Sequence, residues 1–420
     1  MVCFAVTGLC AQDGTVSPYS VFGIGDLRTT STVENQMMGG IGVFTDSIHV
    51  NLQNPAAYGE LGLEQNNKVG LVNYTIGLSN RQIRLKSTAE EQASSVTNVD
   101  YLALGFSLGK GLGMGFGVMP YSSVGYNLVD QSANDDQSLT TIFSGEGGLN
   151  RVYYSVGYQL VNNLSIGVTA NYNYGTLEGE RLQQIEDVQF GTFDRRSSQV
   201  NGFDFNYALN YTPSIKDNYT LHVSARVNTQ GNLVANNNRE IGSFSVATGA
   251  NIEEVNVNLD AQNLRNTELK IPTRTTFGLG YGEDFKWFLG AEYSFQGLSA
   301  FENTFLGVDN IVYEDASSFS FGGFYTPDRA SFSSYLKRVT YRAGFRMDNT
   351  GMVISDEAIN NFGITFGLGL PLGQSYSNLN IGFEAGRRGT TRANLIEESY
   401  FKINVGLSLN DFWFRKRKIN

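Results

Sequence analysis

The segment Leu164–Tyr174 alternates without error: Leu164, Ile166, Val168, Ala170, Tyr172 and Tyr174 on one side, Ser165, Gly167, Thr169, Asn171 and Asn173 on the other. A period of two places these sets on opposite faces of a β-strand. One face is apolar and ends in aromatics, over the roughly 9–11 residues that a tilted strand needs to cross a bilayer. A lone strand cannot stay in hydrocarbon, because each unpaired backbone group costs several kcal/mol there; only closure into a barrel pairs them all. One such strand therefore demands many more.

The rest of the chain supplies them. Strands are expected near 67–79, 99–109, 112–126, 150–160, 164–178, 198–212, 219–230, 270–281, 286–297, 317–326, 337–347, 361–371, 377–388 and 399–410. The fold class is thus all-β, a 14-stranded antiparallel transmembrane barrel, preceded by an N-terminal segment of some fifty residues. The outward sets include Leu102, Leu104, Phe106 and Leu108; Phe203, Phe205, Tyr207, Leu209 and Tyr211; Trp287, Leu289, Ala291, Tyr293 and Phe295; and Phe401, Ile403, Val405, Leu407 and Leu409. Asp204, His222, Arg226 and Glu292 fall on the opposite, polar face, which places them in the lumen. A Lys or Arg facing lipid at the midplane would cost about 2–4 kcal/mol.

Connections alternate in length. Short ones lie at 109–111, 161–163, 282–284 and 371–377; long ones are expected at 80–98, 127–149, 179–197, 231–269, 299–316, 348–360 and 389–398. Short periplasmic turns and long external loops are the barrel rule, and an even strand count leaves both ends in the periplasm. The stretch 231–269 is too long to lack structure and is expected to hold a hairpin. A solenoid would show a fixed repeat, which is missing, and a sandwich has no need of so many long strands with aromatic ends.

Composition agrees. Charged residues are 17% of the chain, below the roughly 25% of soluble domains. Mean hydropathy of −0.20 is what a barrel with a polar lumen averages to. A net charge of −10 argues against nucleic acid as a partner. Residues 1–11 read as an apolar signal segment, with cleavage expected before Gln12; no Lys or Arg precedes it, as if the start were internal to a longer frame. Cys10 follows Leu9, a poor context for lipidation. Cys3 and Cys10 both fall in this segment, so a mature chain would hold no disulfide or thiolate metal site. The organisation expected is signal 1–11, N-terminal segment 12–66, barrel 67–414 and basic tail 415–420.

The run Met38-Gly-Gly-Ile-Gly-Val43, then Asp46-Ser47, then Asn54-Pro55-Ala56, resembles the N-terminal region of FadL-like outer-membrane transporters and of the related PorV-like proteins of Bacteroidota. That resemblance implies a hatch inside the barrel, with Asn54, Pro55, Ala56, Gly39, Gly40 and Gly42 as hatch or gate residues. Further matches are Gly115 to Pro120 with Gly125-Tyr126, Asn150 to Gly175, and Ile271-Pro272 leading to Gly278-Leu-Gly-Tyr281 and Trp287. The opening Ser17 to Leu27, the run Gly386 to Thr391 and the tail Asn410 to Lys418 resemble a Bacteroidota subgroup. The basic tail departs from the terminal aromatic usual in fatty-acid transporters, which leaves substrate identity open.

Other motifs are weaker. Gly111-Leu-Gly-Met-Gly-Phe-Gly117 has the period of a strand with a crowded inner face, and no helix follows to bind a phosphate. Pro120 in the same strand removes a ladder hydrogen bond: it marks either a bulge near the rim or a lateral opening, with Gly117 and Gly125 beside it. FadL-like transporters use such a wall defect to release ligand sideways. Only His49 and His222 are available for general-base work; His222 shares a face with Ser224 and Arg226, but a triad also needs an orienting carboxylate. The acidic stretch Asp130 to Asp136 lacks Ca²⁺-loop spacing and reads as a solvated loop. Arg415 to Lys418 follow an aromatic girdle at Phe412, Trp413 and Phe414.

The reading is a non-enzymatic barrel of the bacterial outer membrane, without cofactor or metal, in contact with lipid and lipopolysaccharide. Its expected function is passive uptake of a hydrophobic small molecule that enters between external loops, passes apolar lumen residues and leaves near Pro120. The alternative is a barrel that binds partner proteins, like a PorV-like subunit of a type IX secretion or assembly complex. A general polar porin ranks third, because an N-terminal hatch argues against an open pore.

Overall fold

The computed structural model describes residues 14–62, 70–134, 137–216, 218–301, 303–307, 311–373 and 376–413. The expected signal segment and its cleavage site at Gln12, the tail from Phe414, and Asp135 and Asp136 of the acidic stretch lie outside the described residues.

Period-two alternation becomes fourteen antiparallel staves. They are β1 (Leu71–Lys86), β2 (Glu91–Gly109), β3 (Leu112–Asn134), β4 (Gln137–Val161), β5 (Leu164–Ile185) and β6 (Phe190–Tyr211). Two staves are broken once: β7 (Tyr219–Asn228, then Gly231–Ser245) and β8 (Asn266–Ile271, then Arg274–Glu283). Then follow β9 (Trp287–Gln296), β10 (Ala316–Tyr325), β11 (Thr340–Ile354), β12 (Glu357–Pro371), β13 (Asn378–Arg388) and β14 (Glu397–Phe412). The barrel closes where β14 pairs with β1, from Leu71↔Phe412 to Lys86↔Glu397. No helix among the described residues is long and apolar enough to cross a membrane.

The outward face is apolar where it meets lipid; Phe203, Tyr207, Leu289, Tyr293 and Phe401 are all exposed. At the short-turn end Tyr219, Tyr281 and Trp287 cluster, with ring centroids 5.8, 5.9 and 6.5 Å apart, and Tyr74 meets Trp413 at 5.8 Å. These aromatics mark an interfacial girdle.

Several expected loops are mostly strand, 348–360 among them apart from its turn at 355–356. The stretches 127–149 and 179–197 are mostly strand, since β3 and β4 pair from Leu112↔Tyr158 to Asn134↔Gln137, and β5 and β6 pair up to Gln183↔Thr192. Much of 80–98 is strand as well. Alternation fades there because lipid no longer enforces an apolar outer face, while the backbone ladder and exposed pairs such as Arg195 with Glu180 at 2.5 Å carry on. The wall β3–β7 thus rises above the belt, β4 alone running 25 residues where about 10 span. The stretch 231–269 does hold a hairpin, Glu240–Phe244 against Asn251–Asn256.

The N-terminal segment packs inside. Val33, Met37, Val50, Tyr58 and Leu61 form one buried cluster with Tyr101, Ala103, Met119 and Tyr153 of β2–β4. Met38, Ile41 and Val43 form another with Phe288 of β9. Its seat is built from inward glycines of the barrel wall.

Candidate functional site

Three levels of the interior differ in chemistry. At the short-turn end, Asn54 caps the 3-10 helix Pro55–Glu60. Its Oδ1 accepts from Ala56 N at 3.2 Å, and its Nδ2 donates to Asn210 Oδ1 at 2.7 Å and to Gly42 O at 3.3 Å. The helix rests against glycines because nothing larger fits. A Cβ on Gly113 would lie 1.9 Å from Tyr58 O, and one on Gly167 would lie 2.3 Å from Pro55 O. The glycine run 111–117 is therefore a seat for the N-terminal segment rather than a phosphate loop. Tyr58 Oη meets Tyr153 Oη at 3.2 Å, both buried. Asp46 and His49 form a 2.6 Å pair nearby, and Asp46 is pushed down to about 2: burial opposes ionisation, but the imidazolium and three hydrogen bonds outweigh it.

The middle level is polar and ion-paired. Arg226 donates to Glu292 at 2.5 Å and to Gln53 Oε1 at 3.2 Å. Arg151 donates to Asp204 at 2.8 Å, and the amides of Asn171 and Asn173 donate to the same carboxylate at 2.7 and 2.6 Å. A Cβ on Gly42 would lie 2.5 Å from both Arg226 and Gln53. The expectation of an apolar passage through the lumen is corrected here, because inward positions at membrane depth alternate with lipid-facing ones and carry the hydrophilic half of each strand. His222 packs against the rings of Phe44 and Phe288, with centroids 5.5 and 5.2 Å away, and those two rings also touch each other at 4.8 Å. Among the described residues neither His222 Nδ1 nor Ser224 Oγ finds a hydrogen-bond partner, so the two do not form a nucleophile–base pair.

The upper level is apolar again. Inward residues Val124, Leu149, Leu177, Val200, Leu233 and Leu269 make a continuous wall with Ile24 and Phe301. A cavity of about 340 Å³ opens beside it, lined by Ile24, Leu27, Leu298, Phe301, Tyr313 and Met352 together with polar groups such as Arg274 and Arg346. Sequence reasoning missed these residues because Leu298, Phe301 and Tyr313 come from a connection without periodicity.

The wall beside this level is incomplete. Among the described residues the ladder between β2 and β3 runs from Gly109↔Leu112 to Leu102↔Val118 and stops. Glu91–Tyr101 stay paired with β1, and Met119–Asn134 with β4, but not with each other. Gly117 is the second-last residue of the closed ladder, and Pro120 lies two residues past its end, at a register shift against β4.

The N-terminal segment covers this gap. Asp26 and Leu27 pair with Ser123 and Ser122 of β3, Arg28 N donates to Tyr121 O at 2.9 Å, and Gly125 N donates to Ser20 Oγ at 3.1 Å. From the other lip, Asn98 Nδ2 donates to Gly14 O at 3.1 Å. A buried charge cluster holds the cover in place. Asp26 meets Arg388 at 2.7 Å and Arg81 at 3.6 Å; Arg28 meets Asp100 at 3.3 Å; Lys402 meets Asp100 at 3.5 Å; and Ser17 donates to Glu398. Burial would raise the Asp26 carboxyl, yet the Arg388, Arg81 and Arg28 guanidiniums hold it below its ordinary value.

The gate residues implied by the resemblance sit in two places. Asn54, Pro55, Ala56 and Gly42 are at the lower and middle levels, whereas Gly40, at φ +83°, borders the 340 Å³ cavity. Gly39, at φ +72°, donates its N–H to Thr365 Oγ1 at 3.1 Å, and a Cβ there would lie 2.6 Å from Phe345 O. Asp204, His222, Arg226 and Glu292 all point inward and are buried. No group of three or more metal-ligating side chains occurs among the described residues.

A family model described as BamG matches residues 1–420. Among solved structures, the toluene transporter TbuX of Ralstonia pickettii has the same fold, at 14% identity over 92% of this chain and 99% of that one, with a TM-score of 0.58. The toluene transporter TodX of Pseudomonas putida gives 17%, 93%, 99% and 0.58, and a FadL homologue from Pseudomonas aeruginosa gives 11%, 93%, 99% and 0.54. Identities this low establish a common fold and no more. No curated protein matches the chain.

Proposed function

The chain belongs to the BamG family, and from its architecture we propose that it is an outer-membrane barrel for energy-independent uptake of a hydrophobic small molecule. The ligand enters the upper cavity from the long-loop end and leaves sideways into the membrane between β2 and β3. The ion-paired middle level and the N-terminal segment below it bar passage along the axis. The observation that carries this reading is that one segment, Gly25–Arg28, lines the cavity on one side and covers the unpaired wall on the other. The segment 12–66 then acts as the hatch, with its movable part at residues 14–28 and its fixed foot at Asn54–Ala56. The neighbours' description as toluene transporters supports a hydrocarbon-like ligand. A signal segment at 1–11 would deliver the chain to the outer membrane.

A second reading, a barrel that binds partner proteins in a secretion or assembly complex, is favoured by the raised wall β3–β7, which stands well beyond the length a bilayer requires. Gentle extraction from the native membrane, followed by mass spectrometry of co-purifying lipids and proteins, separates the two. One enriched hydrophobic molecule without a stoichiometric partner supports uptake. A reproducible protein partner with no enriched ligand replaces it with the second reading.

A further inference from the structure

The outward face of β9–β13 departs from the rest of the belt. Along one row of ladder partners, Leu289, Gly323, Ala343 and Phe366 follow one another, so two small positions stand between two large ones. They leave a trough of about 840 Å³ on the lipid side, edged by Phe321, Tyr325 and Tyr341 and almost wholly apolar. That volume lies in the range of sites that hold small molecules, roughly 300–1,000 Å³.

At the short-turn end the trough meets the connection 326–339, the longest at that end. It is an ordered structure: Asp328 N donates to Lys337 O at 2.8 Å, and Tyr335 Oη donates to Pro371 O at 3.2 Å. Tyr341, an outward residue, donates its hydroxyl to Leu336 O at 3.2 Å, which fixes the short helix Tyr335–Arg338 on the lipid side, above the trough. Lys337 and Arg338 form its last turn, and Phe332 beside it is fully exposed at 104%. None of the ion pairs among the described residues involves Lys337 or Arg338, and Arg338 Nε is buried without a hydrogen-bond partner.

We propose that the trough and this overhanging helix form a site for one anionic glycerophospholipid of the periplasmic leaflet. An acyl chain lies along Gly323 and Ala343, and the phosphate sits against Lys337 and Arg338. Two cations without an ion-pair partner, Arg338 lying 5.2 Å over the Tyr335 ring, stand at an apolar trough and match that molecule's charge and shape, while exposed Phe332 and Leu336 insert at the headgroup level. A protein strand is a poorer occupant, because the ladders from β9 to β13 are paired on both sides and offer no edge for main-chain hydrogen bonds.

The test is native mass spectrometry of the delipidated full-length protein titrated with dioleoyl phosphatidylglycerol or dioleoyl phosphatidylcholine. Wild type should hold one phosphatidylglycerol with a preference over phosphatidylcholine on the order of 25-fold, since each of the two cations near a membrane surface contributes about fivefold. The double variant Lys337→Gln/Arg338→Gln should lose the preference but keep some lipid. Ala343→Phe, which fills the trough, should lose the bound lipid of either kind. Heat-shift electrophoresis confirms that each variant is a folded barrel before it is scored. Equal binding of the two lipids by wild type, or retention by folded Ala343→Phe, overturns the proposal. So does displacement of lipid from this face by a co-purified protein.

Discussion

Replacing Asp26 with Asn probes the cover over the wall gap. The carboxylate sits among four cations and two other carboxylates: Arg28, Arg81, Arg388 and Lys402 against Asp100 and Glu398. Its side chain is 12% exposed and that of Arg388 is 10%, so the 2.7 Å contact is a largely desolvated, charge-assisted bond. Removing one partner of a buried pair costs about 3–5 kcal/mol because the other charge is stranded. Asn retains one polar contact, and Arg81 keeps Glu398 at 3.6 Å, so a cost of about 2–3 kcal/mol is expected here. That corresponds to roughly a 30- to 150-fold rise in the uncovered population. Hydrogen exchange reads it directly at the Arg28 amide, which donates to Tyr121 O, and at the Gly125 amide, which donates to Ser20 Oγ. Their protection should fall by that factor while the β4–β5 ladder is unchanged. Unchanged protection at Arg28 would refute the latch, and equal loss throughout the barrel would show that Asp26 serves global stability instead. Because the Asp26 carboxyl is held below its ordinary 3.8, the latch should be intact above that pH and be lost only as pH falls through the lowered value.

Three further outcomes follow from the same geometry. Gly113→Ala places a Cβ 1.9 Å from Tyr58 O, so the helix Pro55–Glu60 should unseat and become sensitive to added protease in a barrel that still assembles. Asn54→Ala removes the helix cap and the bond to Asn210, and should lower the unfolding free energy in urea by about 1–3 kcal/mol; a change under 0.3 kcal/mol would deny it an anchoring role. Arg226→Met alone should destabilise by about 3–5 kcal/mol, whereas Arg226→Met/Glu292→Met should recover most of that loss, as a double-mutant cycle in urea will register.

The strands were legible because membrane and lumen impose opposite chemistry on alternate residues; Leu164–Tyr174 announces its own two faces. The raised part of β3–β6 was hidden for the complementary reason: beyond the lipid, Glu146, Glu178 and Ser197 can face outward as readily as any apolar residue. The glycine run 111–117 was correctly readable as a crowded strand, but what crowds it, Tyr58, is a partner that no local pattern names. The same holds for the cover of the wall gap. Pro120 advertised a defect in its strand, yet Asp26 finds Arg388 across 362 positions of sequence, and only the closed barrel brings them together. The connection 326–339 carried no periodicity at all, and its position over the lipid-facing wall rests on the hydroxyls of Tyr335 and Tyr341.

The central claim is that ligand crosses the wall where the N-terminal segment now pairs with β3. Leu27 and Ser122 are ladder partners there, at a separation that a disulfide can bridge. The decisive measurement is the rate of toluene uptake into proteoliposomes carrying Leu27→Cys/Ser122→Cys, oxidised and then reduced. Uptake above protein-free liposomes that vanishes on oxidation and returns on reduction is the expected result. Uptake indifferent to the bond, or no uptake by the wild-type protein, would contradict it.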